Sequence, residues 1–240
     1  MKNLKFSMIV LLCIAVTSCV NAQFRKTVRG EGDVVKKERN LTSSFDGIKV
    51  SSGIDVYLTQ GDNTSLAVEA DANLHEYILT EVRDDILHVY TDVNIRDAKM
   101  KRVYVTMKEV KSLKTSSAGD IIGQSPIKGE DLEIGASSAG DIRIEVKANN
   151  INVDISSSGD VKLTGEAENL NADLSSAGDL EAYDLIVRNA DINVSSAGDA
   201  HVNVTEKIVA RASSAGDISY QGNPKSVDAH SSSAGGIHSR

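Results

Sequence analysis

From residue 111 onward, apolar and polar residues alternate with a period of two, and a small polar cluster interrupts the alternation at regular intervals. Pentads such as Ile151-Asn152-Val153-Asp154-Ile155 and Leu170-Asn171-Ala172-Asp173-Leu174 precede the cluster. Runs such as Ile142-Arg143-Ile144-Glu145-Val146 and Val161-Lys162-Leu163 follow it. Period-two alternation marks a strand buried on one face, and residues 111–240 lack the 3.6-residue stripe of a helix. The pattern points Ile151, Val153, Ile155, Leu170, Ala172, Leu174, Ala190, Ile192 and Val194 inward on one wall. Ile142, Ile144, Val161, Leu163 and Val202 line a second wall.

The interrupting cluster is itself a repeat. Ser-Ser-Ala-Gly-Asp ends at Gly119-Asp120, Gly140-Asp141, Gly178-Asp179, Gly198-Asp199 and Gly216-Asp217, with Ser-Ser-Ser-Gly-Asp at Gly159-Asp160 and Ser-Ser-Ala-Gly-Gly at Gly235-Gly236. Successive glycines are 21, 19, 19, 20, 18 and 19 residues apart. Two short strands and two turns in such a unit leave no room for a crossover helix, but they fit one coil of a solenoid whose strands stack about 4.8 Å apart. One coil cannot bury its own apolar face, so stacking must supply the core. The expected fold is a single-stranded right-handed parallel β-helix, with handedness taken from the general rule for parallel crossovers. Glycine is expected to take the positive φ of the corner. Ser and Asp side chains are expected to bond the amides of their own turn.

Residues 45–110 are β-rich without the strict repeat and are expected to form an irregular N-terminal cap. Glu81-Val82-Arg83, the turn Asp84-Asp85 and Ile86–Tyr90 read as a hairpin, and Asn73–Ile78 as one helical turn. Ser51-Ser52-Gly53-Ile54-Asp55 looks like a degenerate corner. Residues 23–44, with charges around Gly30 and Gly32, read as a tether. Residues 1–22 read as a signal peptide, with Lys2 and Lys5 ahead of the apolar run Met8–Val16. Cleavage before Gln23 and lipidation of Cys19 both suit the residues that follow that run. Either way the protein is expected to be exported, to the cell envelope as an outer-membrane lipoprotein or in secreted or periplasmic form.

Composition narrows the partners. The cysteines are Cys13 and Cys19, so a processed chain has no intramolecular disulfide. Net charge is −8, and removing Lys2 and Lys5 takes it to about −10. Such a surface repels phosphate backbones and anionic lipid, which argues against nucleic acid and leaves a lipid anchor as the only membrane attachment. There is no Trp and aromatics are 4%, so stacking platforms for sugars are scarce.

The run Phe45-Asp46-Gly47-Ile48-Lys49-Val50-Ser51-Ser52-Gly53-Ile54-Asp55-Val56-Tyr57-Leu58-Thr59-Gln60-Gly61, followed by Val68-Glu69-Ala70-Asp71, resembles the head GIN domain of auto-transporter adhesins, a family of Bacteroidetes-type bacteria. Gly53-Ile54-Asp55 sits where the Gly-Ile-Asn signature of that family falls, with Asp in place of Asn. The resemblance covers residues 41–240 and implies an exported envelope protein with a β-helical body.

Candidate chemistry is periodic instead of focused. Asp120, Asp141, Asp160, Asp179, Asp199 and Asp217 form a column that either ligates cations or accepts amides, and the amide role is the expectation. Outward residues Asn152, Asp154, Asn171, Asp173, Asp191 and Asn193 form a polar face able to meet a ligand, with a glycan or a protein as the partner classes. Carboxylates recurring at the strand spacing, with no long loops to wall a cleft, argue against an enzyme. No cofactor is expected. His201, His230 and His238 are expected on the surface, with His201 and His238 two coils apart. The functional expectation is an adhesin-like interaction module. The alternative is a structural component that self-associates through its C-terminal edge, and a polysaccharide-active enzyme ranks below both.

Overall fold

A computed structural model describes residues 25–41 and 43–240. Residues 1–24, with the expected signal peptide, Cys19 and Gln23, lie outside them. The first part of the chain forms β1 (Thr27–Arg29), β2 (Val34–Glu38), β3 (Gly47–Val50), β4 (Asp55–Gln60), β5 (Ser65–Asp71), β6 (Leu79–Arg83), β7 (Ile86–Tyr90), β8 (Asn94–Arg96) and β9 (Lys101–Met107). The remainder forms β10 (Ser112–Thr115), β11 (Asp120–Gly123), β12 (Ile127–Ser137), β13 (Asp141–Ser156), β14 (Asp160–Leu174), β15 (Asp179–Val194), β16 (Asp199–Ala212), β17 (Asp217–Gln221), β18 (Ser226–Ser231) and β19 (Gly236–Ser239). Among the described residues a 3-10 turn at Ala72–Leu74 is the one helical element.

The repeat is a β-solenoid of about seven turns with coils about 19 residues long. β13 shows the construction: it leaves one corner, bends at Asn149-Asn150, and runs into the next. At that bend two successive side chains face outward, which moves the alternation onto the second wall without breaking the strand. Neighbouring coils pair in parallel, β13 and β14 in register with Ile142 on Val161, Ile151 on Leu170, Val153 on Ala172 and Ile155 on Leu174. The next two pairs shift register only around Lys162–Gly165 and Ala182–Asn189. Every residue that the alternation points inward lies in the core. Fully burying each Leu or Ile contributes about 1.5–3 kcal/mol, so the aliphatic columns are the main source of stability.

The solenoid begins earlier than the glycine repeat does. β3, the corner Ser51–Ile54 and β4 form a complete rung, with Ile48 on Leu113 and Val56 on Ile121 in the coil that follows. On its other face sit β7 and β9, parallel to β3 and β4. The chain therefore enters at the second rung, goes outward to make the first, and returns at the third. The hairpin of β6 and β7 forms as expected, with Asp84 and Asp85 at φ 51 and 60 in its turn.

The stretch expected to be a tether is structured over much of its length. β2 pairs antiparallel with β5, and β1 pairs with β8. The cause is the buried carboxylate of Asp71, which accepts the amides of Gly32 at 2.9 Å, Lys99 at 3.1 Å and Met100 at 3.1 Å. It thereby draws the two flanking segments together. Burial opposes the charge on Asp71, but these amides outweigh it and hold the carboxyl below its ordinary range. Leu74 and Ile78, fully buried, close the end of the core. Along β2, Lys36, Lys37 and Glu38 stand exposed and charge the sheet edge, a feature that discourages edge-to-edge pairing. At the opposite end β18 is exposed along its length, and its inward-column residue Val227 keeps 47% of its surface accessible.

Candidate ligand-binding groove

Each corner is a two-residue left-handed turn. Ser138 and Ala139 lie at φ 51 and 58, Ser157 and Ser158 at 52 and 59, and Ser176 and Ala177 at 55 and 57. The Gly140 amide donates to the Ser137 carbonyl at 3.1 Å, closing a turn of the type I′ kind. The expectation that glycine supplies the positive φ is therefore wrong, since the Ser and Ala before it do. The glycine serves a different need. A Cβ on Gly159 would stand 2.6 Å from the Ala136 carbonyl carbon and 2.7 Å from its oxygen, backbone atoms of the preceding coil. Glycine is there because the coils touch at that point.

Left-handed Ser and Ala cost roughly 1–2 kcal/mol per residue. Stacking offsets this cost by hydrogen bonds between corners. The Ala118 amide donates to the Ser138 carbonyl at 3.1 Å, Ala139 to Ser157 at 3.2 Å, Ser158 to Ser176 at 3.1 Å and Ala177 to Ser196 at 3.0 Å. The Asp that follows each glycine binds the preceding coil, as when the Asp160 amide donates to the Gly140 carbonyl at 3.2 Å.

Because the turn swings out of the sheet, its first serine faces the outward residue two positions earlier across the buried residue between them. Repeated along the axis, this geometry makes a groove of about 990 Å³. One bank is the serine column, including Ser116, Ser137, Ser156, Ser175, Ser195 and Ser213. The other bank runs Lys49, Lys114, Gly135, Asp154, Asp173, Asn193, Arg211 and His230 in parallel register. At about 4.8 Å per strand those eight rungs span roughly 34 Å. The charge order is positive at Lys49 and Lys114, then acidic and amide, then positive at Arg211.

The predicted polar face divides in two. Asp154, Asp173 and Asn193 line the groove. Asn152, Asn171 and Asp191 form the neighbouring outward column, where the Asn171 amide donates to Asn152 at 3.0 Å and Arg211 binds Asp191 at 3.0 Å. Within the groove the Asn193 amide donates to Asp173 at 3.0 Å. Among the described residues the Asp154 carboxylate has no hydrogen-bond partner, and its nearest cationic column mate, Lys114, pairs with Glu133 at 3.4 Å.

The corner aspartates lie on the other flank of the turn and extend one rung further, to Asp55. Burial, then the neighbouring carboxylates, push Asp120, Asp160 and Asp199 above the usual carboxylate range. Arg143 binds Asp141 at 2.6 Å and offsets part of the repulsion. The amide contact comes from the next coil instead of from the carboxylate's own turn, as in Asp199 N–H to Asp179 at 3.2 Å. No three-ligand metal cluster occurs among the described residues. His201 and His238 stand two coils apart with Ser219 between them, and His201 contacts Glu181 at 3.2 Å, while His230 lies on the other wall.

A second side-chain ladder lies beyond what the alternation predicts. At the bend opposite the corners the Asn150 amide donates to Asp131 at 2.7 Å, Asn169 to Asn150 at 2.8 Å and Asn189 to Asn169 at 3.0 Å. Its signal was the recurrence of Asn at 150, 169 and 189, the same period as the glycines.

This architecture matches solved structures. A "putative adhesin" from Bacteroides fragilis superposes with TM-score 0.82 at 22% identity, covering 89% of this chain and all of the other. A "putative adhesin" from Parabacteroides merdae gives 0.71 at 21% identity, over 90% of this chain and 99% of that one. A "putative lipid binding protein" from Parabacteroides distasonis gives 0.72 at 24% identity, over 90% and 100%. No curated protein matches the chain. Residues 44–224 match the family model described as "Putative auto-transporter adhesin, head GIN domain", and the chain belongs to that family.

Proposed function

We propose that the protein is an exported, adhesin-like binding module that grips an extended ligand lengthwise in the groove between the corner serines and the Asp154–Asp173–Asn193 column. The continuous groove carries this reading, because it runs along the stacking axis and lines up polar groups of successive coils on both banks. Its acidic and amide groups recur with the coil, an arrangement that suits many weak parallel contacts and effective multivalency better than a single reacting centre. The N-terminal pattern of Lys2, Lys5 and Met8–Val16 supports export, with Cys19 or Gln23 as the first residue of the processed chain. An acyl-chain ligand has less support: the solenoid interior is packed with aliphatic side chains, and the groove banks carry hydroxyls and charges.

The test displays the full chain on a bacterial surface and measures retention of the cells on immobilised extracellular polymers. A double variant, Asp154→Arg with Asp173→Arg, changes two exposed side chains and blocks the groove. Wild-type display is expected to raise retention on at least one surface about tenfold over the blocked variant, equivalent to roughly 1.4 kcal/mol. Equal retention of the two on every surface would refute the groove as the binding site.

A further inference from the structure

We infer that the occupant of this groove is a polyhydroxylated chain, a glycan uncharged over its central stretch, and not an extended peptide. The inference rests on the groove reading above and sharpens its ligand.

The first argument is the order of charge. Lys49 and Lys114 stand toward one end, Arg211 toward the other, and Asp154 and Asp173 at the centre. A uniform polycation is repelled at both ends of the groove, and a uniform polyanion at its centre. A polymer without charge over the middle rungs meets neither penalty. Acidic substituents fit only where they reach the basic ends.

The second argument is which hydrogen-bonding groups remain. Peptides that lie along sheets bind through free backbone groups at an edge. This groove has no such edge, because its floor is backbone already committed between coils. The Ser175 amide donates to Ile155 at 2.9 Å, Ser195 to Leu174 at 2.9 Å and Ser213 to Val194 at 2.9 Å. What remains is side-chain chemistry. Among the described residues the hydroxyls of Ser137, Ser156 and Ser175 donate to no protein group, while Ser195 makes only a long contact to the Leu174 carbonyl at 3.5 Å. Asp154 has unused acceptor sites, and Asp173 receives one amide. Sugar hydroxyls both donate and accept, so one kind of group satisfies the carboxylates on one bank and the serines on the other. An extended peptide main chain repeats its donors and acceptors only every two residues, about 6.8 Å, and so falls out of step with rungs about 4.8 Å apart.

The experiment uses the surface that retains the displaying cells. Oligosaccharides and peptides are released from that surface separately, and each pool is offered as a soluble competitor. The oligosaccharide pool is expected to reduce retention about tenfold, and mild periodate treatment of the surface, which cleaves vicinal diols, is expected to do the same. The conservative double variant Asp154→Asn with Asp173→Asn is expected to lower retention severalfold, with its circular dichroism unchanged. Competition by the peptide pool alone, with periodate without effect, would overturn the glycan assignment while the groove-blocking result still stood. Loss of groove dependence itself would instead overturn the broader reading, so the two failures are distinguishable.

Discussion

At one position of the coil the chain carries Gly159 in the repeat and Ile54 in the entry rung, and both fit. Gly159 lies against the backbone of a neighbouring corner, where no Cβ can be accommodated. Ile54 is fully buried in the corresponding place, because no corner is stacked beyond it. There the chain leaves β7 and travels through β8 before it returns as β9. The two left-handed residues also match: Ser52 and Gly53 lie at φ 68 and 61, like Ser117 and Ala118 at 54 and 56. The Gly-Ile-Asp signature is thus the same corner adapted to the last position in a stack. Inner coils are ordered by translation, each repeating its neighbour's contacts at the corner and along the wall before it, with register shifts confined to the strand after the corner and the bend. The cap is ordered by contacts that occur once, Asp71 foremost among them.

This contrast can be broken most severely at Asp71. Asp71→Ala leaves three backbone amides without their acceptor and is expected to destabilise the cap by about 3–5 kcal/mol. Hydrogen exchange would then show protection lost over residues 27–38 and 99–107, with residues 141–212 little changed. Uniform loss across the chain would show that cap and repeat unfold as one unit. A smaller effect is expected within the repeat. Gly159→Ala forces adjacent coils apart and should cost about 1–3 kcal/mol by overpacking, read as a lower denaturation midpoint. An unchanged midpoint would mean that the corners are not in tight contact.

The gentlest probe is pH, which should move the two regions in opposite directions. His75 is buried, and burial holds its imidazole below the ordinary value despite an accepting carbonyl at Val35. The unfolded chain therefore takes up a proton first, and cap stability falls as pH drops through about 6.5. Asp71 adds to this at lower pH: its contribution is present above the ordinary carboxylate value and lost as pH falls through its depressed one. Asp120, Asp160 and Asp199 are raised, so their folded forms bind protons more readily than the unfolded chain does. The repulsion they carry at neutral pH is relieved on acidification through that raised range. Between pH 7 and about 4.5, exchange protection should therefore fall in the cap and hold or rise at the corner amides. A parallel fall in both regions would contradict the opposing shifts.

The inner columns were legible in the sequence because alternation and burial are both local: Ile151, Val153 and Ile155 could point only one way once Asn152 and Asp154 faced water. The corner was half legible. Its position followed from the repeat, but glycine's role was misassigned, because whether a Cβ fits depends on the neighbouring coil and not on the turn's own residues. The order of the first three rungs was hidden for the same reason, since the pairing of β7 with β3 leaves no mark in the spacing of residues. The groove was partly visible. Alternation alone turns Asp154, Asp173 and Asn193 outward, but in the sequence the serines that oppose them mark only corners, because the outward swing of a left-handed turn appears only in three dimensions.

The inner coils are related by translation, so inserting or deleting one unit of about 19 residues would shift everything beyond it by a single strand spacing and require no new kind of contact. The closed end, anchored by Asp71, Leu74 and Ile78, would be untouched by such a change. Copy number alone could thus set how many rungs the furrow offers to an occupant, which would let chains of this architecture differ in reach while sharing one lid and one interior.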